Sequence, residues 1–183
     1  MGPPARLFLP SHRIGWGGAA GLLVAAWLLP FLVHLMPWAG PRPAGVSLLP
    51  AFWTAFVAVN FCDLGLAFLV ALAMPAVSLC VTGLPAAQWL GSMSVELVGY
   101  VLAASWLVRR WPRFWLSAPL AYLPAKLLAI AVGLAVPALR DGRSPWAHLV
   151  DAVSNGFPGL MVLLLINLAL VRLDDDATDW DGD

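Results

Sequence analysis

Charge is what this sequence has least of. Ten basic and ten acidic residues make up 11% of its 183 positions, against about 25% in an ordinary soluble domain. Among them are one glutamate, Glu96, and one lysine, Lys126. The formal net charge is zero and the pI is near 6.8, which excludes a basic platform for nucleic acid. Cysteine is scarce too. Cys62 and Cys80 lie in or beside apolar stretches without CxxC spacing, so neither a disulfide scaffold nor a zinc site is expected; both read as small packed residues. No Gly-x-x-x-x-Gly-Lys-Ser/Thr, His-Glu-x-x-His or Gly-x-Ser-x-Gly occurs, which removes the phosphate loop and two common hydrolase signatures. His12, His34 and His148 fall at or near the ends of apolar runs. The chain therefore reads as a non-enzyme with no cofactor and no metal.

What is abundant is hydrocarbon. The sequence is 61% hydrophobic with mean hydropathy +0.85, the composition of an integral membrane protein. Measured against the ~20 residues that cross a bilayer core, the apolar runs give six transmembrane helices, near 15–36, 47–61, 64–81, 86–108, 114–138 and 150–172, the second and third short. The breaks "PWAGPRPAG", "NFCDLG", "TGLP", "RRWPR" and "RDGRSPW" carry turn formers, charge or both. The expected organisation is a cytoplasmic segment 1–14, an all-α membrane domain 15–172 and an acidic disordered tail 173–183. The first run is too long for a signal peptide, is followed by further spans, and has a poor cleavage site in "MPWAGP". With both termini in the cytoplasm, Arg6, Arg13, Arg109, Arg110, Arg113 and Arg172 lie inside and Arg42, Arg140 and Arg143 outside. That is the favoured orientation, since cytoplasmic loops hold the excess of Arg and Lys. Trp38, Trp106, Trp111, Trp115 and Trp146 fall near span ends, as interfacial anchors do.

Only Glu96 and Lys126 are ionisable and well within a span. Each is unfavourable by about 2.5–3.5 kcal/mol at mid-membrane unless it meets a partner or a polar interior. At ~1.5 Å per residue, Glu96 lies about 15 Å and Lys126 about 18 Å below the outer ends of their helices, so the two can meet. They read either as a structural ion pair or as a binding site whose solute competes for the charges. Trp89, Met93, Glu96 and Tyr100 recur at helical spacing on one face. Tyr122 and Lys126 share another, with Pro124 between them, and Asp151 and Asn155 precede a weak point at "GFPG". A solute site is expected there in the outer half, with Trp53 and Trp89 stacking a ring, Lys126 meeting an anionic group, and Glu96 and Asn155 fixing donors. His34 reads as an interfacial residue or a ligand contact. On the first span Gly17, Gly21 and Ala25 form a small-residue stripe that lets a second helix approach.

The order of motifs "LLPFLVHLMPWAG", "GVSLLPAFWTAFVAV", "LAMPAVSLCVTGLP", "MSVELVGY" and "NGFPGLMVLLLI" resembles the substrate-binding S components of energy-coupling-factor (ECF) vitamin transporters. The resemblance runs from about residue 19 to 172. Pro30, His34, Pro50, Pro75, Ser78, Thr82, Gly83, Pro85, Met93, Glu96, Leu97, Tyr100, Pro158 and Gly159 match that pattern. Two places depart from it: "AFWTAF" stands where many relatives have Met-His-x-Pro, and Gly99-Tyr100 reverses the usual Tyr-Gly.

The resemblance implies a multi-pass protein of the cell membrane that captures a vitamin or vitamin-like solute. It would hand the solute inward with a transmembrane coupling subunit and ATPase subunits. It also gives Gly17, Gly21 and Ala25 a use as the docking stripe for the coupling subunit. Any ATP use has to come from another chain, because this one lacks a phosphate loop. The alternative is a membrane assembly or scaffold protein of the cell-envelope machinery, which would need no cavity and no bound solute.

Overall fold

The computed structural model describes residues 44–83, 86–136, 139 and 144–180, together with Gly21, Val24, Leu28, Leu32, Val33 and Leu35. Those six isolated positions are helical, and no strand occurs among the described residues. In chain order the elements are α1 (Ala44–Leu48), α2 (Pro50–Phe61), α3 (Leu64–Thr82), a 3₁₀ turn (Ala87–Trp89), α4 (Leu90–Arg110), α5 (Ser117–Ala135) and α6 (Pro145–Trp180).

Local chemistry sets most of these boundaries. Leu49 adopts a left-handed conformation (φ 56°, ψ 43°) and Pro50 opens the next helix, so the expected second span is split into α1 and α2 at an elbow. Proline is suited to a first turn, where its missing N–H would have had no partner. Asp63 caps α3, its Oδ1 accepting from the Leu66 amide at 2.7 Å. Gly83 closes the same helix at φ 71°, a conformation open to glycine. Pro75, Pro124 and Pro158 sit inside α3, α5 and α6 without ending them. The "GFPG" stretch is thus not a break, and α6 continues through Trp180. Residues 173–180, expected to be a disordered tail, are helical in backbone; no Gly or Pro lies there to stop the helix.

α2 is apolar all round and buried along most of its length, with Phe52, Ala55, Phe56 and Ala58 at 3% exposure or less. That is the signature of a central helix. It is packed by α3, α4 and α6, while α4 lies most extensively along α5. Thr54 and Asn60 return their side-chain bonds to the Pro50 and Phe56 carbonyls, so neither needs a partner from another helix. Phe52 meets the rings of Tyr100 and Tyr122 edge-on, each at 5.1 Å between centroids. Tyr100 then donates to the Ala118 carbonyl and Tyr122 to the Ala152 carbonyl, joining α4 to α5 and α5 to α6.

Three helices are long and apolar enough to cross a membrane: Ala87–Arg110, Ser117–Ala135 and Pro145–Arg172. Pro50–Phe61 and Leu64–Cys80 are apolar but shorter. Leu102, Leu123, Leu127, Leu134, Phe157 and Leu165 point outward and are exposed. Such a continuous apolar exterior is unsuited to water and suited to lipid. At the end of α4, Trp106, Trp111 and Phe114 pack edge to face beside Arg110, whose guanidinium lies 5.9 Å from the Trp111 ring. Asn167 of α6 donates to the Phe114 carbonyl and fastens this turn to the bundle.

Candidate functional site

Two apolar helices can bring a carboxylate and an ammonium together only where their backbones come close. Glycine at 99 provides that approach. A Cβ built there would lie 3.3 Å from the Cα of Ala125 and 2.8 Å from Cδ2 of Leu128. Glu96 stands one turn before Gly99, and Lys126 follows Ala125 directly. Their side chains meet, Lys126 Nζ donating to Glu96 Oε2 at 2.5 Å, and both are nearly buried, at 10% and 12% exposure. The ammonium also lies 5.3 Å from the centroid of the Tyr122 ring, so it gains a π-face as well as a carboxylate. The Tyr122 ring is itself fixed by Phe52 and by its hydroxyl bond to α6.

The other carboxylate oxygen, Oε1, lies 3.9 Å from Nε2 of His148, near the start of α6. Glu96 and His148 border a cleft of about 140 Å³, together with Trp89, Ser92, Ala129, Ile130, Gly133, Leu134, Leu139 and Pro145. It opens at the end of the bundle where α4 and α6 begin and α5 ends. Its walls are apolar with a few polar groups converging, the composition of a small-molecule site.

The face read from sequence as Trp89, Met93, Glu96 and Tyr100 divides in two. Trp89, Ser92 and Glu96 line the cleft, whereas Met93 packs against the core and Tyr100 is wholly buried within it. Trp89 is 37% exposed, and no ring of the described residues stacks on it. Trp53 packs against the core rather than lining the cleft, and its indole Nε1 is buried with no hydrogen-bond partner. Lys126 stands behind Glu96, away from the cleft wall. Asn155 spends its amide on α6 itself, donating to the backbone and side-chain oxygens of Asp151 at 2.6 and 2.8 Å. His34, Gly17 and Ala25 lie outside the described residues. Gly21 is helical and exposed, and a Cβ built there meets no atom within 4 Å.

Sequence reasoning missed Ser92 and His148. Ser92 is four residues before Glu96, so the spacing already carried it. His148 gave no comparable signal, because its place depends on how α6 docks. Among the described residues no three His, Cys, Asp or Glu side chains gather as a metal site. In the turn between α2 and α3, burial and the neighbouring Asp63 charge push the Cys62 thiol above its ordinary pKa, the reverse of an activated nucleophile. In comparisons with known proteins, no family model, no curated protein and no solved structure matches the chain.

Proposed function

We propose that this chain is the membrane-embedded substrate-capture subunit of an ATP-driven importer of the ECF type, for a vitamin or vitamin-like small molecule. The observation that carries the reading is the buried Glu96–Lys126 pair placed beside a cleft at one end of the apolar helices. Ionisable groups are expensive within a membrane and mark solute or ion sites by default. A scaffold has no need of such a cleft.

In this reading the chain crosses the cell membrane six times with both termini in the cytoplasm. The three long helices and the two shorter apolar ones supply five of the crossings, and the run 15–36 supplies the first. The cleft then opens to the outside. Trp89 and Glu96 contact the solute directly, Lys126 holds Glu96 in place, and Trp53, Met93, Tyr100 and Asn155 support the walls. Gly17, Gly21 and Ala25 dock on the transmembrane coupling subunit, and separate ATPase subunits supply the energy.

The test is to purify the full chain in detergent, extract it and identify retained small molecules by mass spectrometry, with Glu96→Gln alongside. A compound retained by the native chain and lost from a folded Glu96→Gln variant supports capture. An extract matching that of an unrelated membrane protein ends the reading.

A further inference from the structure

The turn that joins α4 to α5, at the far end of the bundle from the cleft, is the most cationic stretch among the described residues. Arg109, Arg110 and Arg113 fall within "RRWPRFW", and no Asp or Glu occurs between Glu96 and Asp141. All three arginines are exposed, as are the indoles of Trp106, Trp111 and Trp115 around them. The turn is also held in shape. The Phe114 carbonyl accepts from the Ser117 amide at 3.1 Å, the Ser117 hydroxyl at 2.8 Å and Nδ2 of Asn167 at 3.0 Å. The Phe114 amide donates to the Trp111 carbonyl at 3.0 Å. Trp106 and Trp111 meet edge to face at 5.3 Å between centroids, and the Arg110 guanidinium lies over the Trp111 ring. Attraction to a π-face uses none of the guanidinium's hydrogen bonds, so its planar fork can still pair with phosphate oxygens two at a time. Among the described residues no carboxylate pairs with Arg110. Arg113 has an interaction of its own and adds to the field of the turn.

Along α4, Leu102, Trp106 and Arg110 recur at every fourth position on one exposed side. Over about 12 Å that side passes from aliphatic chain through indole to guanidinium. A phospholipid passes in the same order from acyl chain through the interfacial region to phosphate. The acidic run Asp174, Asp175 and Asp176 follows Asn167 on the helical backbone of α6, a rise of about 10–14 Å beyond the level of Phe114.

We propose that the α4–α5 turn binds the headgroup of an anionic phospholipid, its phosphate held by Arg110 with Arg109 beside it and an acyl chain lying along Trp106 and Leu102. Complementarity selects this occupant. A soluble anion would use the arginines and leave the apolar side bare, and an apolar partner helix would leave the arginines without anions. A choline headgroup would bring its own ammonium to a cationic turn. The surface is separate from the cleft and stands apart from the capture reading.

The experiment titrates the full chain in detergent with phosphatidylglycerol, with phosphatidylcholine of the same acyl chains, and with glycerol 3-phosphate, which has the phosphate without the chains. Binding is followed by native mass spectrometry and by the unfolding midpoint. Phosphatidylglycerol should be retained about tenfold more tightly than either, the size of one charge-assisted pair. Arg110→Gln should lose most of that preference, Arg110→Lys should keep part of it as a point charge without the fork, and Arg172→Gln, which removes an exposed cation from α6, should keep it. Equal retention of the two lipids overturns the proposal, as does a preference that survives in Arg110→Gln. Equal losses in Arg110→Gln and Arg172→Gln would show general charge attraction in place of a site, and glycerol 3-phosphate binding as tightly as the lipid would show a soluble-anion site; either result overturns it. These side chains are exposed, so the substitutions spare the core, and the comparison of probes on the native chain decides without any variant.

Discussion

Gly99 of α4 lies so close to Ala125 of α5 that an added Cβ would stand 3.3 Å from the facing Cα. One turn away on α4 and one residue away on α5 are Glu96 and Lys126, whose contact depends on that approach. A position without a side chain thus sets the geometry of the nearly buried ion pair.

Enlarging Gly99 should part the pair. Gly99→Ala asks Leu128 and Ala125 to yield a little, and Gly99→Val asks for more. Overpacking of this kind is unfavourable by about 1–3 kcal/mol. Unfolding midpoints should fall in the order native, Ala, Val, and a Val variant as stable as the native chain would show that the helices do not need this contact.

The pair itself can be dissected with Glu96→Leu, Lys126→Leu and the double variant. Each single change strands a buried charge, a penalty of about 3–5 kcal/mol, whereas the double change is near neutral for stability. If Glu96 holds solute, the double variant folds but does not bind. Recovery of binding in the double would reduce the pair to a structural tie.

Gly156 and Gly159 on α6 should respond unequally to alanine. At 159 a Cβ would lie 2.6 Å from the backbone carbon and oxygen of Leu48, which cannot swing aside; at 156 the nearest atom is a Leu49 methyl at 3.1 Å. Gly159→Ala is therefore expected to lower the unfolding midpoint clearly, and Gly156→Ala only slightly. Equal effects would contradict the close seating of the elbow on α6.

Bulky residues at Gly17 and Gly21 test the partner. On the importer reading, a Gly17→Leu, Gly21→Leu variant keeps solute binding by the isolated chain and no longer copurifies with a coupling subunit. Retention of the complex would return the stripe to packing within the chain.

How much of this was legible in the sequence differs from element to element. The long spans were, because a membrane forces a run of about 20 apolar residues with few charges: α4 with the turn before it takes up most of the run read at 86–108, α5 falls inside 114–138, three residues short at each end, and α6 covers 150–172. The meeting of Glu96 with Lys126 was legible from depth alone. The elbow at Leu49 was not, since hydropathy does not register a left-handed leucine. Nor was the division of the Trp89–Tyr100 face: helical spacing groups residues within about 100° of one another, while the docking of α2 and α5 decides which edge of that arc is core. His148 belongs to the same class, placed by tertiary contact rather than by its neighbours in sequence.

The Leu48–Leu49 elbow works as a pawl in a notch. Gly156 and Gly159 cut the notch into α6, and the backbone of Leu48 sits in it too closely for the helix to slide past. His148 is carried on the same rigid rod, eight residues and about 12 Å up the helix from Gly156. The axial setting of α6 is therefore fixed at the elbow and read out at the cleft: a shift of one helical turn would move His148 by about 5.4 Å and could occur only with the pawl lifted. A short apolar bend thus acts as the gauge that holds the Glu96–His148 gap at its width.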